Sequence, residues 1–380
     1  MATRVLILSV TAGAGHLRAA QAVEAAFLER HPEIDLHCED ALDYTNAAFR
    51  NGYSQGYERL VKELPSVWGH IYERLEAKPA RSRLKSAMAL FDRLNAARLT
   101  RMVAKLDPDC VVCTHFVPVE VLAQRRRKGK LRAPLYVVLT DYDVHTMWIQ
   151  EGVDGYFVAT EEMAYALRAR GTDAHITVTG IPVLPAFART YPARPEMRRQ
   201  LGLDPSRPAV LVSAGGFGMM RADEAAVVLA GRLPQVQLLV VAGRNEALRE
   251  RLERVASKAP GHIIPFGFVD NMHELMAASD LAVAKSGGLT TSECLALGLP
   301  MVVFNPIPGQ EERNALYLLE NGAGLWAHTA ANMLYKAETL LGDPERLARM
   351  QANARRIGRP DAAFRIAHTV LGSTGAKRGH

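Results

Sequence analysis

Long apolar runs are missing from this 380-residue chain. The longest, Val5 to Val10 and Leu135 to Leu139, fall far short of the ~18 residues that a membrane-spanning helix requires. The first residues also lack the elements of a secretory leader: one cation, Arg4, precedes a six-residue apolar run and then glycines, with no cleavage site. The expected location is therefore the cytoplasm. Cysteine is scarce, with four in all. Cys110 and Cys113 form a C-x-x-C, but no second pair completes a zinc site. They stand in the β-type run "DCVVCT", where side chains three apart face opposite sides of a sheet, so buried thiols are expected. Nothing in the composition, 48% hydrophobic and 23% charged, suggests disorder or a collagen-like chain.

Acid is absent where base is concentrated. Between residues 78 and 105 eight cations, Arg81, Arg83 and Lys85 among them, face Asp92 alone. The run "RRRKGKLR", 125 to 132, contains six more and no acid, starting with Arg125, Arg126 and Arg127. The formal charge of +6 thus comes from a local excess in the first half. Such patches suit an anionic membrane surface or nucleic acid, or else form a solvated helix face.

Strands and helices alternate, and the strands read as continuous apolar runs, the pattern of a parallel sheet covered on both faces. Six strands are expected in the first half, at "RVLILSV", "IDLHCE", "CVVCT", "LYVVLT", "YFVAT" and "ITVTG", with a helical insertion at about 45 to 105. The proline-rich stretch 180 to 195 then marks a linker. After it come "AVLVSA", "VQLLVVAG", "HIIPFGF", "LAVAKS", "PMVVFN" and "GLWA". The expected fold class is α/β, with two sheets in tandem. Residues 1–185 form one domain, 186–355 a second, and 356–380 a terminal helix and tail that packs back on the first.

Two glycine turns invite a nucleotide. In "TAGAGHLRAA" Gly13 and Gly15 match the start of a dinucleotide fingerprint, but Arg18 stands where the third glycine allows close packing. No G-K-[ST] follows, so a P-loop is also excluded. What remains is a small-residue turn with His16 near a helix N-terminus. There the positive dipole would hold the ring neutral, as a general base requires.

The second half is more specific. "LVSAGGFGMM" ends a strand at Gly215, Gly216, Phe217 and Gly218. In "AKSGGLTTSEC" a strand ends at Lys285, Ser286 to Gly288 turn, and Leu289, Thr290 and Thr291 open a helix. Exposed N–H groups and two hydroxyls there suit a diphosphate. Glu293 would be repelled by phosphate unless it reached sideways to ribose hydroxyls.

The order "FGFVDNMHELMAASDLAVAKSGGLTTSECLALGLPMV…PGQEERNA" resembles the nucleotide-sugar site of GT-B glycosyltransferases. The similarity is to the family 28-like branch holding monogalactosyldiacylglycerol synthases and processive diacylglycerol glucosyltransferases. "TAGAGHLRAA" and "LTDYDVHTMWIQEGVDGYFVATEE" are similar to that branch's first half. The resemblance implies a GT-B fold, two Rossmann-like domains facing each other across a cleft. It makes Glu293 the ribose ligand and Gly287 to Thr291 the diphosphate turn. Backbone near Phe268 and Val269 would meet uracil, and Gly215 to Gly218 would lie by the phosphates. Gln310 and Glu311 would bind the donor sugar, with Gly15, Ser286 and Asn314 on the donor side. His16, Asp141 and His145 would line the acceptor side as the catalytic residues.

The implied chemistry is inverting transfer of a hexose from UDP-glucose or UDP-galactose to a diacylglycerol hydroxyl, without cofactor or metal. His16 or Asp141 would be the base. "DYD" at 141 to 143 formally matches a metal-binding D-x-D of another fold, but lies away from the phosphate turn. Trp68 and Tyr72, interleaved with charge in the insertion, suit a lipid interface. A peripheral position on the inner face of the membrane is expected. The alternatives are a prenyl-linked or other hydrophobic acceptor, a UDP-sugar 2-epimerase, or a nucleic-acid-binding protein. The last lacks any nucleic-acid motif and leaves Glu293 unexplained.

Overall fold

The computed structural model describes residues 2–11, 13–46, 63–77, 97–215, 221–258 and 261–375, together with Arg50, Gly52 and Gly56. The chain forms two compact units, Met1–Pro185 with Asp361–His380, and Ala186–Pro360. The first exchange falls inside the proline-rich stretch. The second falls at Asp361, later than the boundary at 356 expected from sequence.

In the first unit six strands form one parallel sheet: β1 (Arg4–Ser9), β2 (Asp35–Asp40), β3 (Cys110–Cys113), β4 (Leu135–Val138), β5 (Gly155–Val158) and β6 (His175–Val178). Their order is β2-β1-β3-β4-β5-β6. β1, β3 and β4 are largely apolar and, Arg4 aside, buried on both faces, as a covered parallel sheet demands. Helix α1 (Ala14–Arg30) and the terminal helix 362–375 cover one face. Val23, Phe27, Ile366 and Val370 pack there against Val5, Ile7, Cys110 and Val112. Both thiols of the C-x-x-C are buried and free, and burial pushes that of Cys110 up to about 12.

The second unit repeats the plan with β7 (Ala209–Ser213), β8 (Gln237–Val241), β9 (Ile263–Phe266), β10 (Leu281–Ala284), β11 (Met301–Phe304) and β12 (Gly324–Ala327). The order is β12-β11-β10-β7-β8-β9, again all parallel. All twelve strands read from the sequence are present.

The strand orders locate the sites. In each sheet the chain builds outward on one side of its first strand, then crosses to the other side. Ligands bind at such switch points, beyond the carboxyl ends of the strands that flank them. In the first sheet these strands are β1 and β3, and in the second β7 and β10. The residues next after these four strands include His16, Thr114, Gly215 and the turn that begins at Lys285.

Candidate active site

In the first unit the turn after β1 ends in Gly13 at φ 90°, a conformation that favours glycine, and His16 lies in the first turn of α1. Its Nδ1 stands 3.0 Å from the carbonyl oxygen of Thr114 and 2.9 Å from Oγ1 of Thr140. Thr114 also donates its hydroxyl to the His16 carbonyl at 3.0 Å, so one residue at the end of β3 grips the histidine twice. A carbonyl can only accept. The ring proton therefore sits on Nδ1, and Nε2 carries the lone pair. That nitrogen has no hydrogen-bond partner among the described residues.

Aromatic rings surround the histidine. His115 stands edge-on at 4.5 Å and Trp148 at 5.9 Å. Burial is the largest influence on His16 and lowers its pKa to about 4, against the opposing hydrogen bond to Thr114. This corrects the sequence reading, in which the helix dipole kept the ring neutral. His115 is lowered well below the ordinary histidine value, by burial and then by the charge of His16. Its Nδ1 accepts from the N–H of Val117 and caps the helix α4 (Phe116–Arg127).

A pH prediction follows, and its sign is fixed by the direction of that shift. An ordinary histidine base would lose activity as pH falls through about 6.5. With His16 lowered to about 4, kcat/KM should stay flat from pH 7 to about 5 and fall only below that. An acid limb centred near 6.5 would assign the base elsewhere.

The other acceptor-side residues divide. Asp141 follows Thr140 directly and is half-buried in the loop after β4. His145 is 2% exposed, and both its ring nitrogens are engaged. Nδ1 accepts from the Met147 N–H at 3.2 Å, while Nε2 lies 3.1 Å from the Tyr72 carbonyl and 3.3 Å from Glu76. This geometry gives His145 a structural role, tying helix α2 (Pro65–Ala77) to the loop, in place of the catalytic role read from sequence. Glu76 strengthens the tie by accepting from the Thr146 N–H and from Arg170.

The lipid-facing residues also sort by packing. Tyr72 is buried with its ring 4.3 Å from His145, so it belongs to the core and not to a lipid surface. Trp68 is half-buried on the same helix, where Val67 is exposed, as is Leu64 just before the helix. Arg126 is also corrected: it pairs with Asp154 and donates to the carbonyls of Arg132 and Ala133. Arg127 donates to the Glu151 carbonyl at 2.7 Å. Arg81, Arg83 and Lys85 lie outside the described residues.

In the second unit Gly215 follows β7 at φ +77°. Gly216, Phe217 and Gly218 lie outside the described residues. Across the switch point, β10 leads into Lys285, Ser286 and Gly287, and the helix α5 (Gly288–Ala296) begins. Gly287 offers no side-chain cap, so the first-turn N–H groups of α5 stand ready for an anion. Leu289 is buried and Thr290 is half-buried. Thr291 is fully buried and its hydroxyl has no hydrogen-bond partner among the described residues. Glu293 is 7% exposed in the following turn.

A brace holds this turn. Helix α6 (Gln310–Glu320) starts after Gly309, and its residue Glu311 is buried. One oxygen of Glu311 accepts from the Ile307 N–H at 2.6 Å, and the other lies 3.2 Å from Lys285 Nζ. Its carbonyl accepts from the Ser286 hydroxyl at 2.6 Å, and Asn314 donates to the Ser286 carbonyl at 2.9 Å. Glu311 and Asn314 therefore stiffen the phosphate turn, where the sequence reading had them touching the donor. Gln310 is half-buried and has no side-chain bond among the described residues. Phe268 is half exposed, with the Arg244 guanidinium 4.9 Å above its ring, and Val269 is half-buried beside it.

The sequence reading missed Lys285 as a site residue, although a lysine directly before a glycine phosphate turn was visible. The cation at the mouth of that turn is held by Glu311, and a Cβ on Gly215 would stand 3.8 Å from its Cε. Thr114, Thr140 and Glu76 had no comparable signal. Their roles come from partners 70 to 124 positions away in the chain.

Two Rossmann-type sheets, each with a glycine turn at its switch point, give the chain the architecture of the GT-B fold. MurG from Acinetobacter baumannii covers 98% of this chain over its whole length, with a TM-score of 0.65 at 16% identity. UDP-GlcNAc 2-epimerase from Neisseria meningitidis, bound to UDP-GlcNAc, covers 97% of the chain and 99% of its own, with a TM-score of 0.59 at 17% identity. At these identities the likeness concerns fold alone.

The family is set by closer relatives. Residues 16–183 match monogalactosyldiacylglycerol (MGDG) synthase, and residues 217–366 match the glycosyltransferase family 28 C-terminal domain. The processive diacylglycerol β-glucosyltransferase of Bacillus mycoides is 31% identical over 99% of this chain and 95% of its own. The chain belongs to the family of those diacylglycerol glycosyltransferases.

Proposed function

We propose that this enzyme transfers a hexose from UDP-glucose or UDP-galactose to the hydroxyl of diacylglycerol, with inversion and without a metal. The observation that carries the chemistry is the oriented His16, with Nδ1–H committed to Thr114 and a free Nε2 lone pair. The relatives named for diacylglycerol glucosyl transfer support the substrates. Nε2 takes the acceptor proton as the oxygen attacks the anomeric carbon, and UDP leaves with the bonding electrons. Negative charge grows on the leaving diphosphate, and the first-turn N–H groups of α5 with Lys285 stabilise it. Glu293 binds the ribose and Gln310 the sugar.

An assay with labelled UDP-glucose and UDP-galactose, diacylglycerol, ceramide and prenyl-phosphate acceptors, and chelator present tests the whole reading. Labelled diacylglycerol is the expected product. Release of free sugar derivative without any acceptor would instead support a 2-epimerase. No product in chelator, restored by magnesium, would overturn the metal-free scheme.

Thr140 is a positioning residue in this scheme. Thr140→Val removes one hydrogen bond of about 0.5–1.5 kcal/mol and keeps the shape, so kcat should fall about 2- to 10-fold with donor KM unchanged. A change confined to KM would contradict the assignment.

No helix among the described residues is long and apolar enough to cross a membrane. The acceptor is nonetheless confined to one, so the enzyme docks at its surface through Leu64, just before α2, Val67 on it and the cations of the first half. The protein should sediment with anionic liposomes and be released by high salt, whereas equal recovery in the supernatant with and without liposomes would refute docking.

A further inference from the structure

The loop after β4 meets His16 at both of its ends. It starts at Thr140, whose Oγ1 stands 2.9 Å from His16 Nδ1, and reaches Trp148, whose ring centre stands 5.9 Å from that of the same histidine. Two helices of the insertion between β2 and β3 flank this sheet differently. Helix α3 (97–106) leads into β3 at the amino edge. Helix α2 lies against the loop after β4, at the carboxyl edge that carries His16.

Three consecutive residues in the middle of the loop are held from outside it. The Val144 carbonyl accepts from Arg170 at 2.7 Å. His145 accepts the Met147 N–H at Nδ1, so its ring is neutral and the proton sits on Nε2. That proton faces the Tyr72 carbonyl at 3.1 Å and the Glu76 carboxylate at 3.3 Å. Thr146 donates its N–H to the same Glu76 oxygen at 3.1 Å. The other oxygen accepts from Arg170 at 2.8 Å, just after the helix Glu161–Ala169. One carboxylate thus joins α2, the loop and Arg170. It stands immediately before Trp148 in the chain, because Thr146–Trp148 form a single 3-10 turn capped by His145. A shift at Thr146 therefore carries Trp148 with it, away from the ring of His16.

We infer that Glu76 is a positioning residue of the transfer reaction, acting on His16 through the loop 140–148. The inference rests on His16 being the base, as proposed above. Trp148 is 4% exposed and, with His115 and Thr114, encloses the ring. Thr140 shares the Nδ1 side of the ring and so helps to aim Nε2. With the clamp gone, the turn that bears Trp148 is no longer fixed and neither is the direction of the lone pair. A misplacement of about 1 Å at a reacting group costs up to about 100-fold in rate.

The test combines Glu76→Ala and Glu76→Gln with His16→Asn in steady-state assays of labelled UDP-glucose and UDP-galactose with diacylglycerol. Glu76→Ala should lower kcat about 10- to 100-fold with donor KM unchanged. Glu76→Gln keeps the shape and one oxygen for the Thr146 N–H but loses the charge that faces Arg170, so kcat should fall only about 2- to 10-fold. In the His16→Asn background Glu76→Ala should lower kcat by less than about twofold, because the group it positions is already gone. A merely structural role reduces the amount of folded enzyme and lowers kcat by the same factor in both backgrounds. That result, or Glu76→Ala at wild-type turnover, would overturn the inference while a slow His16→Asn leaves the base assignment standing. His16→Asn at the wild-type rate would overturn the base assignment and this inference together.

Discussion

His16→Ala is expected to lower kcat by about 10²- to 10⁴-fold, the usual contribution of a positioned general base, with little change in donor KM. The size follows from the arrangement at the end of β1. A neutral ring with its proton pinned toward Thr114 presents one lone pair, and no other described histidine nearby can replace it. His115 spends its Nδ1 on the Val117 N–H, and His145 has both nitrogens engaged. Alanine also removes the hydrogen bond to Thr114, so part of any loss could be structural. His16→Asn separates the two effects. Its amide N–H reproduces the donor to the Thr114 carbonyl but offers nothing basic at the Nε2 position. Both variants should bind UDP normally and both should be slow. If His16→Asn keeps the rate of the wild type, Asp141 becomes the base.

The fold was legible because parallel strands buried on both faces leave continuous aliphatic runs, such as "VLIL" in β1 and "LLVV" in β8. The turns at the switch points were legible for a related reason. Gly13 and Gly215 adopt positive φ, which other residues seldom tolerate, so glycine marks them in the sequence. Roles fixed by distant partners left no such mark. Glu311 is an acid beside a glutamine just before a helix, and only its bonds to Ile307 and Lys285 reveal a brace. His145 looked available for chemistry until Tyr72 and Glu76, about seventy positions earlier, closed around it. Arg126 shows the same limit: its charge was visible, while Asp154 was too far along the chain to be paired with it.

Glu293→Ala should raise the Kd for UDP and for the intact donor about 10- to 100-fold, while kcat at saturating donor changes by less than about threefold. The carboxylate is 7% exposed and lies one turn beyond Gly288. That position needs a compensating partner, because the free N–H groups that open α5 draw phosphate to the same helix end. A carboxylate set so close to a diphosphate binds productively only by accepting from neutral hydroxyls, and hydrogen bonds to a charged acceptor contribute about 1.5–3 kcal/mol. Because those hydroxyls take no part in bond making, the interaction is equal in ground and transition states. Its loss must then appear in binding and not in turnover. Glu293→Gln discriminates further: it keeps the shape and one acceptor, so it should retain part of the affinity. A 2′,3′-dideoxyuridine diphosphate should bind wild type and Glu293→Ala alike, since neither complex contains the hydroxyl-to-carboxylate bond. If the variant weakens that analogue as much as UDP itself, Glu293 acts on the fold of α5 and not on the ribose.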